Sequence, residues 1–169
     1  RGIDQQDAWL QLPLTNDYAT IDLALLSVLA RGPNGATNFA AGIRLGIVEL
    51  AGLSGAQSVP REGVSKVMLF LTDGIPTLPV GKGTVEDPGD DEAALRAAQL
   101  ARSAGISINT YALGAAALQY PRVVTEMARI TVGTYSPVQN PGDIVTLLQG
   151  VSFADVEDVV LTNLSTGEL

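Results

Sequence analysis

The run Val67-Met68-Leu69-Phe70-Leu71 sets five large apolar residues in succession, and Asp73-Gly74 ends it abruptly. A strand with one wet face alternates apolar and polar residues, so an unbroken run suits a parallel strand covered on both faces. A parallel strand needs a crossover to its neighbour, usually a helix. The sequence supplies such pieces on either side. Residues 38–53 precede the run with an apolar helical face of Phe39, Ile43, Gly46, Ile47 and Leu50. After it, Asp90 or Asp91 can cap a helix reaching about Ser103, whose Ala94, Ala97, Ala98 and Ala101 form a small-residue face for close packing on a sheet. Gly105 ends that helix, and residues 106–113 read as the next strand with Gly114 as its stop. A helix over residues 122–130, a short strand over 134–138 and a helix over 143–151 continue the pattern. Alternating strands and helices predict an α/β fold: a doubly wound, mostly parallel, Rossmann-like sheet with helices on both faces and right-handed crossovers.

The two ends read differently. Residues 8–14 suggest a short strand, and Thr15, Asn16 and Asp17 are helix-capping types ahead of an apolar helix over 21–29. Arg31-Gly32-Pro33-Asn34-Gly35 stops that helix. Residues 54–65 form a polar loop, and residues 75–88, with Pro76, Pro79 and Pro88, make an excursion over the surface. Gly42 and Gly46 flank Arg44 and suit close helix packing in a soluble core. From residue 154 the character changes: Val156, Val159, Val160 and Leu161 are strand material. The expected organisation is one domain over residues 1–153, then a linker or the first strand of a following module over 154–169. The chain starts at Arg1, as a processed protein or a piece of a longer one would.

Composition narrows the chemistry. With no cysteine and no histidine, thiol catalysis, disulfides, Cys/His zinc sites and a Ser-His-Asp triad are excluded. Oxygen ligands remain, and these suit Mg²⁺, Ca²⁺ or Mn²⁺. The net charge of −8, with scattered cations, argues against nucleic acid. No apolar run approaches the ~18 residues of a membrane span, and no glycine-rich nucleotide loop is present. An enzyme is not expected.

Ligands of open parallel sheets bind beyond the C-terminal strand ends, where Asp73 falls. Asp73 can equally begin a turn. Thr37, in Gly35-Ala36-Thr37-Asn38, reads first as a helix cap; its hydroxyl serves a cation only if the loop is held beside the strand ends. The acidic cluster Glu86-Asp87-Pro88-Gly89-Asp90-Asp91-Glu92 lacks EF-hand spacing and reads as a solvated loop placing favourable charge at a helix N-terminus. Asn163-Leu164-Ser165 fits a glycosylation acceptor.

Gly35-Ala36-Thr37-Asn38-Phe39-Ala40-Ala41-Gly42-Ile43, followed by Val67-Met68-Leu69-Phe70-Leu71-Thr72-Asp73-Gly74, resembles the von Willebrand factor A family. Gly105-Ile106, Tyr111-Ala112-Leu113-Gly114 and the lead-in Leu14-Thr15-Asn16-Asp17 extend the resemblance over roughly residues 8–151. It implies that Thr37 and Asp73 belong to a metal-ion-dependent adhesion site, Thr37 coordinating directly and Asp73 directly or through water. Asn38 and Gly74 would shape the loops, and Mg²⁺ (or Ca²⁺ or Mn²⁺) would bridge to an acidic group of a protein ligand. The sequence departs from the family in lacking its Asp-x-Ser-x-Ser motif and the first strand, which lies at the sheet centre. A gap in the sheet, a strand or subunit partner to fill it, and weak or no cation binding by this chain alone are therefore expected. The implied function is metal-dependent adhesion or protein binding, in a larger extracellular or cell-surface protein. The alternatives are a structural subunit of an extracellular assembly with an incomplete metal site, or an intracellular scaffold partnering an ATPase.

Overall fold

The computed structural model describes residues 7–32, 35–83, 87–140 and 142–149. The apolar run becomes strand β1 (Lys66–Thr72), followed by helix α3 (Pro88–Ser103) and strand β2 (Ile106–Leu113). Helices α1 (Tyr18–Arg31) and α2 (Phe39–Ala51) precede β1. After β2 come α4 (Gly114–Gln119), α5 (Arg122–Thr131), strand β3 (Tyr135–Val138) and α6 (Asp143–Gln149). The three strands form an open, all-parallel sheet in the order β1-β2-β3. This is an α/β architecture with helical crossovers.

Register places Met68 beside Ile108 and Phe70 beside Thr110, so these side chains share one face of the sheet. Alpha helices α2, α3 and α5 supply the rest of that core through Ile43, Ile47, Ala94, Ala97, Val124 and Met127. Ala94, Ala97, Ala98 and Ala101 are each fully buried, which lets α3 lie close to α2, α5 and β2. Gly46 serves the same purpose on α2: a Cβ there would come within 2.5 Å of the Met68 Cε. The Phe39 and Phe70 rings meet edge to face, 4.9 Å between centroids. On the other face of the sheet, Tyr111 and Val138 are also buried, and burial raises the Tyr111 phenol above its ordinary pKa.

Local chemistry explains the helix starts. Asp17 caps α1 by accepting from the Ala19 and Thr20 amides, and its bonds to Thr20 hold its carboxyl below the usual range. Asn38 caps α2, its Oδ1 accepting from the Ala41 amide at 3.0 Å. Helix α3 is capped by Asp87, with Pro88 in its first turn, and not by Asp90 or Asp91. Those two carboxylates do place acidic charge in the first turn of α3, as expected, but they are buried and not solvated. Asp90 accepts from the Gly81 amide at 3.0 Å and from the Val80 amide, fastening the surface excursion onto α3. Asp91 pairs with Arg122 at the start of α5.

Four further expectations are corrected. Residues 8–14 form no strand; the segment is held by Asp7, which accepts from Asn38 at the start of α2 (3.0 Å), and by the Leu14 amide, which donates to Ser58 Oγ in the loop after α2 (2.9 Å). Strand β1 is less covered than expected: among the described residues it lies at the sheet edge, its apolar residues are half-buried, and Leu71 is 47% exposed. Gly114 does not simply stop β2 but opens the short helix α4, which the sequence reading did not anticipate. Helix α1 is longer than its apolar spacing indicated and carries no buried residue. The expectations for Pro33-Asn34, for Glu86 and for residues 150–169, including the tail and Asn163, lie outside the described residues.

Candidate functional site

The parallel strands put the ends of β1 and β2, Thr72-Asp73 and Leu113-Gly114, at the same edge of the sheet. They come close: a Cβ on Gly114, whose φ is 75°, would sit 3.7 Å from the Asp73 carbonyl oxygen. Thr72 closes the turn after β1, its Oγ1 donating to the Gly74 carbonyl (3.1 Å) and accepting from the Gly74 amide (3.2 Å). Gly74 therefore belongs to a tight side-chain-to-backbone turn, and the Asp73 carboxylate projects into solvent beside it.

The loop carrying Thr37 is fastened to the segment after β1 by backbone hydrogen bonds. The Thr37 carbonyl accepts from the amides of Thr77 (2.9 Å) and Leu78 (3.2 Å), and the Thr37 amide donates to Thr77 Oγ1 (3.1 Å). Thr37 is thus not the cap of α2; Asn38 is, and the Thr37 side chain is exposed. Asn38 is 9% exposed because its second polar atom is also used, Nδ2 donating to Asp7 Oδ2. Thr37, Asn38 and Asp73 line one open cavity of about 430 Å³, with Phe70, Leu71 and Leu113 as its apolar wall. Of the residues singled out from sequence, these three are brought together, and Gly74 lies in the adjoining turn.

Sequence reasoning missed Thr77 and Asp7, the residues that hold the Thr37 loop and Asn38 in place. Their contacts join loops distant in the chain, and no local pattern announces them. Asp91, read from sequence as a cap or part of a solvated cluster, is instead buried, its Oδ2 pairing with Arg122 while its Oδ1 has no hydrogen-bond partner among the described residues. Burial pushes the Asp91 carboxyl above its ordinary pKa, against the opposing pull of Arg122.

The chemistry of the cavity is that of hard oxygen donors. The Asp73 carboxylate and the Thr37 hydroxyl are exposed and open to a ligand, whereas the Thr72 hydroxyl is committed to Gly74. Among the described residues, no group of three or more carboxylates is placed to hold a metal ion. A divalent cation of this type takes about six oxygens, so Thr37 and Asp73 could offer only part of such a shell. No protein-family model matches the chain, and no curated protein matches it.

Proposed function

We propose that this chain is the larger part of a von Willebrand factor A-like module that binds a protein ligand through a bridging divalent cation. The observation that carries this reading is the attachment of the Thr37 loop to Thr77 and Leu78, which sets a free hydroxyl and a free carboxylate on one cavity at the strand ends. An open parallel sheet uses that edge for ligands. The donor set is short, so the remaining oxygens come from beyond the described residues or from a partner seated at the open edge of β1. An acidic group of the ligand then takes the last position. In this reading the sheet is doubly wound with helices on both faces, the module is extracellular or on a cell surface, and the chain performs no catalysis.

The test is Mn²⁺ titration followed by NMR line broadening. The chain alone is expected to bind weakly, with broadening confined to the amides of residues 36–38 and 73–74, and Asp73→Ala abolishes it. Broadening centred elsewhere, or unchanged in Asp73→Ala, sinks the cation reading. The incomplete donor set then favours the second reading, a structural subunit of an extracellular assembly whose metal site is vestigial.

A further inference from the structure

The Gly83 amide donates to the Thr77 carbonyl (3.1 Å), closing residues 77–83 into a loop. The base of this loop is tied to the candidate cavity. Thr37 exchanges hydrogen bonds with Thr77 and Leu78, and a Cβ on Gly83 would lie 2.8 Å from the Ala36 Cβ, so Gly83 rests against the residue before Thr37. The tip of the loop is tied to α3. Asp90, 0% exposed, accepts from the Val80 amide through Oδ1 and from the Gly81 amide through both oxygens (3.2 and 3.0 Å). A carboxylate taken out of water and held by backbone amides resists movement, because displacing its partners strands a buried charge. Tip and base are not joined by slack chain: the buried Pro76 and Pro79 fix φ on either side of Thr77 and Leu78. A displacement of the tip therefore reaches the bonds to Thr37. The Val80 side chain makes a second contact with α3, since a Cβ on Gly89 would come within 2.8 Å of its Cγ2.

We propose that Asp90 is a positioning residue for the Thr37–Asp73 cavity: from the first turn of α3 it holds the tip of the 77–83 loop, and the loop holds the Thr37 hydroxyl beside the strand ends. Asp73 stands on the turn closed by Thr72 and does not depend on Asp90. The two oxygen donors of the cavity are thus held independently, one by the end of β1 and one by α3 through the loop. Where the inference concerns cation binding it rests on the function proposed above; where it concerns the placement of Thr37 it does not.

The experiment compares amide hydrogen exchange and Mn²⁺ line broadening in the parent chain, Asp90→Asn and Glu92→Gln. Asparagine keeps one acceptor and turns an N–H against the Gly81 amide. Glu92 is exposed and paired with Arg96, so its variant removes the same charge without touching the loop. In Asp90→Asn the amides of Thr77, Leu78 and Gly83, none of which bonds to Asp90, are expected to exchange about tenfold faster, while those of β2 keep the parent's protection. Mn²⁺ broadens residues 36–38 less, relative to 73–74, than in the parent. Glu92→Gln changes neither readout. Gly89→Ala repeats the test without disturbing a buried charge: its Cβ pushes Val80 away from α3 and speeds exchange at Thr77 and Leu78, and adding Val80→Ala, which clears the obstructing methyl, restores the parent's rate. This pair decides the matter if Asp90→Asn does not fold. Faster exchange confined to Val80 and Gly81 overturns the proposal, as does an equal effect of Glu92→Gln or a Gly89→Ala effect that Val80→Ala leaves unrescued. If exchange behaves as expected but Mn²⁺ broadens neither segment even in the parent, the cation reading alone fails and the positioning of Thr37 by Asp90 stands.

Discussion

Leu71 and Tyr111 are partners across the parallel ladder and lie on the same face of the sheet, yet Leu71 is 47% exposed and Tyr111 is 2% exposed. The contrast extends to their strands. Strand β1 is the more apolar, but β2, with Ser107, Asn109 and Thr110 in its sequence, is the more buried. Burial here follows neighbours and not hydrophobicity: among the described residues β2 has a strand on each side, β1 on one side only. An apolar run in a half-covered position is a sequence suited to a closed sheet standing in an open one. The same holds for α1, where Leu23, Leu26 and Leu29 are exposed while the alanine face of α3 is sealed.

The largest expected effect tests that contrast directly. Ile108→Ala on β2 removes a fully buried side chain from the core, and should destabilise by about 3–4 kcal/mol. Leu71→Ala on β1 removes a side chain already half in water and should cost under about 1 kcal/mol. Urea denaturation of both variants checks the pair. Equal losses would mean that β1 is covered in solution, and the distinction between a closed and an open side would fail.

Glycines sharpen the comparison at a somewhat smaller scale. A Cβ at Gly133 would lie 2.0 Å from the Ile108 carbonyl oxygen and 2.6 Å from its carbonyl carbon, so the obstacle is strand backbone and not a flexible side-chain end. Gly133→Ala should therefore destabilise by about 2–3 kcal/mol. At Gly46 the obstacle is the far end of the flexible Met68 side chain on the edge strand. Alanine also favours the helix by up to about 1 kcal/mol. Gly46→Ala should stay within about 1 kcal/mol of the parent, again by urea midpoint. A Gly46 variant as damaged as the Gly133 variant would show the β1 side to be as tightly packed as the β2 side.

These differences also explain how much was legible beforehand. Helix α2 and strands β1 and β2 were readable because their signals are local: a 3.6-period apolar face, an apolar run, Gly105 between helix and strand. Thr37 and Asp73 were readable as candidates for the same reason, and they do share a cavity. What failed depends on neighbours. Residues 8–14 have strand composition but no strand to pair with, and β1 has core composition but no cover on its outer edge. The cap of α3 was misplaced because Asp87, Asp90 and Asp91 all suit the role, and only the turn made by Pro88 selects Asp87. The fastening of Thr37 to Thr77 joins two loops distant in the chain, through backbone atoms and the Thr77 hydroxyl, and no local pattern announces it.

The smallest expected effect concerns what holds the open side together. Glu49, near the end of α2, is buried and accepts from the Ser58 hydroxyl (2.5 Å), the Ser58 amide (2.8 Å) and the Gln57 amide (3.1 Å). Ser58 in turn accepts from the Leu14 amide, so one carboxylate anchors both the 53–65 loop and the 7–17 segment. The Ser58 hydroxyl, the larger cause, and these amides hold the Glu49 carboxyl below its ordinary pKa, against the effect of burial. A depressed carboxylate contributes stability that is present above the unfolded pKa of about 4.3 and is lost as pH falls through the lower folded value. Glu49→Gln should thus lose about 1 kcal/mol at neutral pH and show less further loss than the parent on acidification. Hydrogen exchange separates the two sides: acid should release the amides of Gln57, Ser58 and Leu14 while those of β2 stay protected. If β2 and the 53–65 loop open together, the molecule unfolds as one unit and its open side has no independent stability.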